Sequence, residues 1–581
     1  MKKIIYMLSL LCSFLGACND DSFLREKPED FLTVDNAFLN INQFRTGVNQ
    51  MYSQVRALYN NNDSRNDWVL MGIGLDVFTA PTPDTEVSQP EFNDWKKVNS
   101  SNSIASAWWH SGYSIIKNCN ELLFQTENPN VVWNVKGEKE EIQAEIRFFR
   151  AFAYRCLANI FGGVPIVDKP VTEPRLDFVR VTRAEVYEFA IQDAEFAATY
   201  LPVKLTQDGR VVRATADHLL AELYLAYSDN GGTKSYDKAI EAASRVIDGK
   251  DGDYGLMKER FGQRKGEAGK NVYWDLFRMG NQNYLEAGNR ECLWAIQFAY
   301  NTPGGTNKWD RPLFERHFWP NFWQKAKFGY DGVARDNTGR GVAFVRPTTY
   351  MIYDIWDNCG GDIRNSEVNI ARKFYAPYVL KGGVEVKDYD TTYVTPVVLT
   401  DGTEIEVRLK PGDEIKKEWW TSASDTMTSY FPRFFKFGTD KHIDGKPDNG
   451  FVPDWYIFRV ADTYLLRAEA YLKAGNKGGA VKDVNTVRER AKASLINENQ
   501  LDIDYILDER ARELLGEEQR FMTLSRMNMV YQRTKKYGRN VSAASIQEYN
   551  NLLPIPQSAI DSNLEAELRQ NEVINSCFLP L

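Results

Sequence analysis

Long amphipathic helices recur along this chain, and they constrain its fold more than any other feature. At 139–161 the apolar residues fall on one helical face, and Gly162 and Gly163 follow as a stop signal. Similar patterns predict further helices at 182–201, 214–228, 236–247, 457–474 and 479–494. Small residues, chiefly alanine, let such helices approach closely. Helix pairs of this kind are typical of tetratricopeptide-type repeats.

The sequence between the helical parts differs from them in composition and in periodicity. From residue 251 to 455 it is rich in Gly, Pro, Asn and aromatic residues and lacks a sustained helical period. Alternating stretches at 384–387 and 404–407 indicate short strands or a hairpin. We therefore predict a mainly α fold with a tetratricopeptide-like helical-repeat scaffold. Helical parts at 18–250 and 456–581 would carry an irregular, loop-rich subdomain at 251–455 with short β-strands.

The N-terminus has the features of an export signal. Lys2 and Lys3 precede an apolar run at 4–15, which is shorter than the ~20 residues that span a bilayer. The run closes with the sequence LGAC, which is similar to a bacterial lipobox ending at Cys18. We therefore predict a lipoprotein signal peptide at 1–17 and a lipid anchor on Cys18. The alternative is an ordinary signal peptide followed by a chance cysteine.

Charge and motif content argue against several classes of function. The formal net charge of −8 disfavours nucleic acid and other polyanions as partners. The four histidines have no metal-ligand spacing, and the chain has no phosphate loop, nucleophile elbow or Cys/His nucleophile pattern. We therefore expect no catalytic residues, no cofactor and no metal. Wide spacings predict buried, unpaired thiols, with one adventitious bridge as the alternative, for Cys119, Cys156, Cys292, Cys359 and Cys577.

Several short segments carry a family signature. AEIRFFRA at 144–151, followed by FGGVP at 161–165, is similar to a motif of the type EARFLRAF…YGGVP. Residues 459–470 match a helix of the type RYAEVLLMYAEA, and LPIPQ at 553–557 matches a closing PIP motif. Together these segments resemble the SusD/RagB family of Bacteroidetes, and the resemblance extends over essentially the whole chain after Cys18.

The resemblance implies a fold, a location and a function. Members of this family are surface lipoproteins with a tetratricopeptide-like scaffold and an irregular ligand-binding face. They sit as a lid on a SusC-type TonB-dependent transporter, bind a glycan and have no catalytic activity. Asn19, Asp20 and Asp21 are similar to the acidic signal that exports such lipoproteins to the outer face of the outer membrane, although a solvated linker explains them equally well. An oligopeptide binder of the RagB type is the main alternative, and a surface hydrolase or an adhesin component is the third.

Aromatic residues supply the candidate ligand-binding side chains. The chain has 14 Trp, 29 Tyr and 32 Phe, and flat apolar rings can stack on the C–H faces of sugars. By the resemblance, two loop regions provide the site. The predicted carbohydrate-binding residues are Trp95, Tyr300, Trp309, Trp319, Trp323 and Tyr330 for stacking, with Asp76 and Asn93 as hydrogen-bond partners.

Core packing is the competing interpretation of each of these aromatic residues. We interpret the segments around Trp108, Trp109 and Trp455 as helical and assign these three residues to packing. The charged group of Arg510, Glu513, Glu517 and Arg520 has helical spacing, and we interpret it as buried ion pairing and not as catalytic chemistry.

Overall fold

Helices dominate the structure, a computed structural model, and its sheets are short and two-stranded. This composition confirms the predicted fold class. None of the helices that the structure describes is long and apolar enough to span a membrane. The described residues are 37–59, 71–81, 92–302, 313–332, 339–381, 384–386, 388, 390–422, 425–443 and 451–571.

Consecutive helices form the N-terminal scaffold. They are α1 (Ile41–Tyr59), α2 (Ser103–Thr126), α3 (Glu138–Phe161), α4 (Arg183–Tyr200), α5 (Arg213–Asp229) and α6 (Tyr236–Ile247). From α2 to α6, each helix packs on the next. The four helices predicted in α3 to α6 agree with the observed bounds to within one residue, because a glycine or proline follows the end of each helix within two residues.

Buried ion pairs join α3 to its neighbours. The helix ends at Gly162, whose φ of 77° disfavours residues with a Cβ. Arg150 Nε donates to Asp193 Oδ2 of α4 at 2.7 Å, and Arg155 Nε donates to Glu222 Oε1 of α5 at 2.9 Å. A charge that is buried without a partner costs several kcal/mol, roughly, so these pairs fix how the helices face one another.

Short helices and strands fill the middle of the chain. The helices are α7 (Val272–Leu276), α8 (Tyr284–Ala287), α9 (Phe314–Phe318) and α10 (Thr349–Ile352). Strand β1 lies in the N-terminal part, and β12 runs into the C-terminal part. The strands are β1 (Phe78–Thr79), β2 (Cys292–Ile296), β3 (Arg346–Pro347), β4 (Ile370–Ala371), β5 (Phe374–Tyr375), β6 (Val379–Lys381), β7 (Val384–Val386), β8 (Tyr393–Val398), β9 (Glu404–Leu409), β10 (Glu414–Ile415), β11 (Arg433–Phe434) and β12 (Trp455–Arg459).

All six strand pairs are antiparallel: β1 with β3, β2 with β12, β4 with β11, β5 with β10, β6 with β7, and β8 with β9. Both alternating stretches seen in the sequence are strands, but they do not pair with each other. Each pairs with the stretch just before it, so they form two hairpins. A separate hydrophobic cluster lies under β8 and β9 and includes Phe322, Phe328 and Phe374.

The C-terminal helices are α11 (Val460–Lys473), α12 (Lys477–Arg490), α13 (Ile503–Leu514), α14 (Arg520–Arg526), α15 (Val530–Tyr537), α16 (Asn540–Ser545) and α17 (Gln557–Asp561). The helix predicted at 457–474 starts three residues later than expected, because 457–459 belong to β12 and pair with β2. Trp455 is buried as predicted, but it lies on this strand and not on a helix. Since α11 packs on α6, α12 and α13, it joins the two helical parts.

A network of buried charges stands at this junction. Glu513 Oε2 lies 3.0 Å from Arg364 Nη1, and its Oε1 lies 2.8 Å from Arg459 Nη1 and also contacts Arg490. Arg459 further contacts Glu517 and Glu291. The interpretation of the charged group as buried ion pairs is confirmed, but its partners come from distant elements and not from one helix face.

Four cysteines in the described part of the chain are buried and free: Cys119, Cys156, Cys292 and Cys359. This confirms the prediction of unpaired thiols for these four. Cys577 lies outside the described residues.

Candidate functional site

Two predicted stacking residues, Trp95 and Trp319, lie in the hydrophobic core with no exposed surface. Trp95 Nε1 donates to the Gly74 carbonyl at 3.0 Å, and Trp319 Nε1 donates to the Phe434 carbonyl at 2.9 Å. A ring that stacks on a sugar needs one face open to solvent. The structure therefore corrects both assignments, and these rings stabilise the loops that surround them.

Trp323 and Tyr330 belong to the cluster under the β8–β9 hairpin. Both are buried; Trp323 Nε1 donates to the Gly341 carbonyl at 2.6 Å, and Tyr330 donates its hydroxyl proton to the Tyr375 carbonyl at 2.7 Å. Their polar tips are used within the protein. We therefore reassign both from ligand stacking to packing of this smaller core.

Asp76 is enclosed by two arginines. Arg520 Nη2 lies 2.5 Å from its Oδ2, and Arg533 Nε lies 3.0 Å from the same atom. Burial alone would raise the pKa of Asp76, but the charges of Arg520 and Arg533 outweigh it and lower the pKa to about 2. The carboxylate thus neutralises core arginines, and this corrects its assignment to ligand binding.

Asn93 is also buried, and its Oδ1 accepts a hydrogen bond from the Ala80 amide at 3.2 Å.

Of the remaining predicted residues, Tyr300 is half-buried and follows β2. Its ring therefore keeps some solvent access. Trp309 and Cys18 lie outside the described residues.

A surface that the sequence reasoning missed lies along β3. We define the β3 surface by Arg316, Phe344, Arg346 and Arg539. Strand β3 pairs with β1, which places Arg346 opposite Thr79. The amide of Val342 donates to the Arg316 carbonyl at 2.8 Å, which joins α9 to this strand. Arg539 joins them because its Nη1 donates to the carbonyls of Ala80 and Pro81, which directly follow β1, so four distant parts of the chain meet here.

The burial pattern of this segment shows what could have revealed it. From Arg340 to Arg346, every second side chain is half-buried, and the residues between them are buried. The sequence RGVAFVR carries that alternation, with arginines at both ends of the solvent-facing set. Reasoning from aromatic residues alone does not identify this segment.

The chemistry of the β3 surface combines an aromatic ring with guanidinium donors. The guanidinium carbon of Arg316 lies 5.9 Å from the centre of the Phe344 ring, and the His317 ring lies 5.7 Å from it. Sugars offer C–H faces for rings and hydroxyl oxygens for guanidinium donors. This arrangement suits an oligosaccharide better than a small apolar ligand.

A cavity of about 390 Å³ lies elsewhere, between α1 and β2, and its lining includes Tyr52, Arg210 and Trp294. The polar side chains that line this cavity form hydrogen bonds with other groups of the protein. Arg210 Nη1 donates to Glu145 Oε1 at 3.0 Å, and Tyr52 donates to the same atom. We therefore favour the β3 surface as the candidate site.

Comparisons with known proteins agree with this picture of the fold. Residues 290–573 match the SusD family, and residues 22–225 match the family described as "Starch-binding associating with outer membrane". The starch-binding protein SusD of Bacteroides thetaiotaomicron is 38% identical over 488 residues, which cover 79% of this chain and 77% of that protein.

Two similar solved structures are those of glycan-binding proteins. A laminarin-binding SusD-like protein has a TM-score of 0.64 and 20% identity, covering 92% of this chain and 100% of its own. Surface glycan-binding protein A of Bacteroides thetaiotaomicron, in complex with laminarihexaose, has a TM-score of 0.62 and 18% identity, covering 92% and 99%. These structures share the fold. With the starch-binding relative matched over most of its length, the chain belongs to the SusD/RagB family.

Proposed function

We propose that the protein is a non-catalytic, cell-surface glycan-binding lipoprotein that captures oligo- or polysaccharide and delivers it to a SusC-type TonB-dependent transporter. The observation that carries the proposal is the similarity to the starch-binding protein SusD over most of both chains. The similar structures of a laminarin-binding protein and of a glycan-binding protein in complex with laminarihexaose support a glycan as the ligand class. The absence of a catalytic motif from the sequence supports binding without hydrolysis.

The proposed contacts combine loop aromatics with the β3 surface. Tyr300 and Trp309 remain our proposed stacking residues, and Phe344 adds a third ring. Arg316 and Arg346 would donate hydrogen bonds to sugar oxygens, because a guanidinium offers several N–H groups in one plane. No single contact of this kind binds a glycan tightly, so affinity depends on several at once.

Removing one stacking ring is expected to weaken glycan binding selectively. We expect Trp309→Ala to reduce affinity for the best ligand of a polysaccharide panel at least about tenfold, which corresponds to about 1.4 kcal/mol. Tyr300→Ala should have a similar but smaller effect. Affinity electrophoresis identifies the ligand and calorimetry measures its Kd. Tyr200→Ala, which removes an exposed ring at the end of α4, is the matched control and should bind like wild type.

The same measurements separate the alternatives. Calorimetric binding of oligopeptides, with no retardation by any polysaccharide, would favour the RagB-like peptide binder. Release of reducing ends by the purified protein would contradict a non-catalytic role. Unchanged affinity of the Trp309→Ala variant would move the binding site away from this loop.

Anchoring and delivery have their own test. We expect wild-type protein to incorporate alkyne-palmitate and to fractionate with outer membranes, whereas Cys18→Ala should lose both properties because the acyl chains supply the anchoring free energy. Co-purification in mild detergent should yield a large β-barrel partner. Recovery of free monomer alone from such membranes would contradict the proposed lid role.

A further inference from the structure

Three arginines of the β3 surface have no carboxylate partner among the described residues: Arg316, Arg346 and Arg539. Arginines in the core differ from these three because they are paired with carboxylates: Arg364 and Arg533 each contact at least two. A guanidinium removed from water requires compensating negative charge or several acceptors. The β3 surface therefore carries positive charge that the described protein does not neutralise.

Arg346 shows this most clearly. Its Nη1 donates to the Pro347 carbonyl at 3.1 Å, and its Nε is buried without a hydrogen-bond acceptor. The guanidinium carbon lies 6.0 Å from the centre of the Phe431 ring. An apolar ring and one carbonyl leave most of its donors for another molecule, because guanidinium has five N–H groups.

Arg539 lies close to Arg346. Its Nη1 donates to the carbonyls of Ala80 and Pro81 at 3.3 and 3.2 Å, next to the strand that pairs with β3. Burial lowers the pKa of Arg346, and the like charge of Arg539 lowers it further. An anion bound by both side chains would relieve this repulsion.

The groups that face these arginines from other elements are not acidic in the described structure. Tyr353 lies near Arg346 and is exposed, and Lys417 Nζ lies 5.9 Å from the centre of the Tyr353 ring. Beyond Tyr353, Arg372 has Glu367 as an acidic neighbour. The charge that lacks an acidic neighbour is therefore that of Arg346 and Arg539.

We propose that the β3 surface binds an acidic oligosaccharide, with Arg346 and Arg539 together holding one of its carboxylate or sulfate groups. This inference rests on the proposed glycan-binding function and adds the chemical class of the glycan. Carboxylate and sulfate share the geometry that guanidinium recognises, with oxygens placed for paired N–H···O bonds. The neighbouring Phe344 ring favours a sugar as the carrier of the acidic group.

The net charge of the whole chain does not oppose this binding. A total of −8 disfavours dense polyanions, but a single acidic group within a few ångströms of two arginines responds mainly to local charge. We therefore expect glycans with separated acidic groups to bind better than heavily charged polymers.

Matched pairs of glycans test the proposal. The panel contains laminarin, oligogalacturonate with its carboxyl-reduced form, and carrageenan oligosaccharide with its desulfated form. We expect at least one acidic member to bind and its neutralised counterpart to bind at least about tenfold more weakly. Comparing the two pairs distinguishes carboxylate from sulfate. The affinity should also fall as NaCl rises from 50 to 500 mM, because salt screens charges near the surface.

Variants assign the effect to the two arginines. Arg346→Gln and Arg539→Gln should each weaken binding of the acidic glycan about tenfold or more. Arg346→Lys should fall between these and wild type, since it keeps the charge and loses the paired donors. Arg408→Gln, which removes an exposed arginine of the β8–β9 hairpin, is the control and should bind normally. Thermal melts check that each variant is folded.

Each opposite result overturns the inference in a recognisable way. Binding of neutral glycans only, unaffected by Arg346→Gln, overturns it and leaves the proposed function intact. Binding of acidic peptides and no glycan overturns both the inference and the proposed function.

Asp84 and Glu86 occur in the sequence near Pro81, outside the described residues. If acidic glycans bind only after Asp84→Asn and Glu86→Gln, the protein neutralises its own arginines and the proposal is wrong.

Discussion

Glu513→Gln is expected to lower the free energy of unfolding by about 3–5 kcal/mol, the usual cost of breaking a buried ion pair from one side. Glu513 is fully buried and contacts Arg364, Arg459 and Arg490. Burial would raise its pKa, but these three arginines hold it far below the usual range, so the group is ionised at neutral pH. The neutral amide leaves part of their charge uncompensated.

Chemical and thermal unfolding followed by circular dichroism measure this effect. Glu406→Gln is the matched control, because Glu406 pairs with Arg408 at 2.6 Å while both side chains are more than half exposed. Exposed pairs of this kind contribute about 0–1 kcal/mol. A midpoint for Glu513→Gln equal to that of the control would show that the network does not hold the two helical parts together.

Trp319→Ala is expected to lower the free energy of unfolding by about 3–5 kcal/mol through lost packing and the cavity left behind. The Trp319 ring meets Phe435 edge-on, with ring centres 5.3 Å apart. It also fills the space beside Gly438, where an added Cβ would lie 2.2 Å from the ring. Gly438→Ala should therefore also destabilise the protein, by collision instead of by a cavity.

This prediction separates core aromatics from ligand aromatics. Trp319→Ala should lower the unfolding midpoint, whereas Trp309→Ala should lower glycan affinity with little change in stability. Tyr200→Ala serves as the control for both measurements, since its ring is exposed and distant from the β3 surface in sequence. A Trp319→Ala variant with wild-type stability and no glycan binding would return this residue to the ligand site.

The sequence predicted the helices well because their determinants are local. An apolar face every three to four residues and a glycine stop are both contained in one short segment, as in α3. The start of α11 was missed for the opposite reason. Residues 457–459 read as helix in isolation, but pairing with β2, more than 150 positions earlier, makes them a strand.

The candidate site was harder to predict because its contacts span the chain. Trp95 lies in a polar stretch and Asp76 carries a charge, and both features suggest exposure. In the fold, however, Arg520 neutralises Asp76, and Phe521 covers the Trp95 ring from the C-terminal part. Arg346 and Arg539 are likewise distant in sequence, and they come together beside β1. A single sequence shows residue types and spacing, but not which distant charges cancel.

The four buried free thiols have a consequence for a protein that we propose to work outside the cell. Burial raises the pKa of Cys156 to about 11 despite nearby Arg155, so thiolate is scarce at neutral pH. Oxidants and alkylating agents react with the thiolate. Burial raises the pKa of Cys119 and Cys292 as well, and it limits access to all four thiols. The described part of the fold can therefore mature without disulfide catalysts and tolerate swings in oxygen and reductant without forming crosslinks.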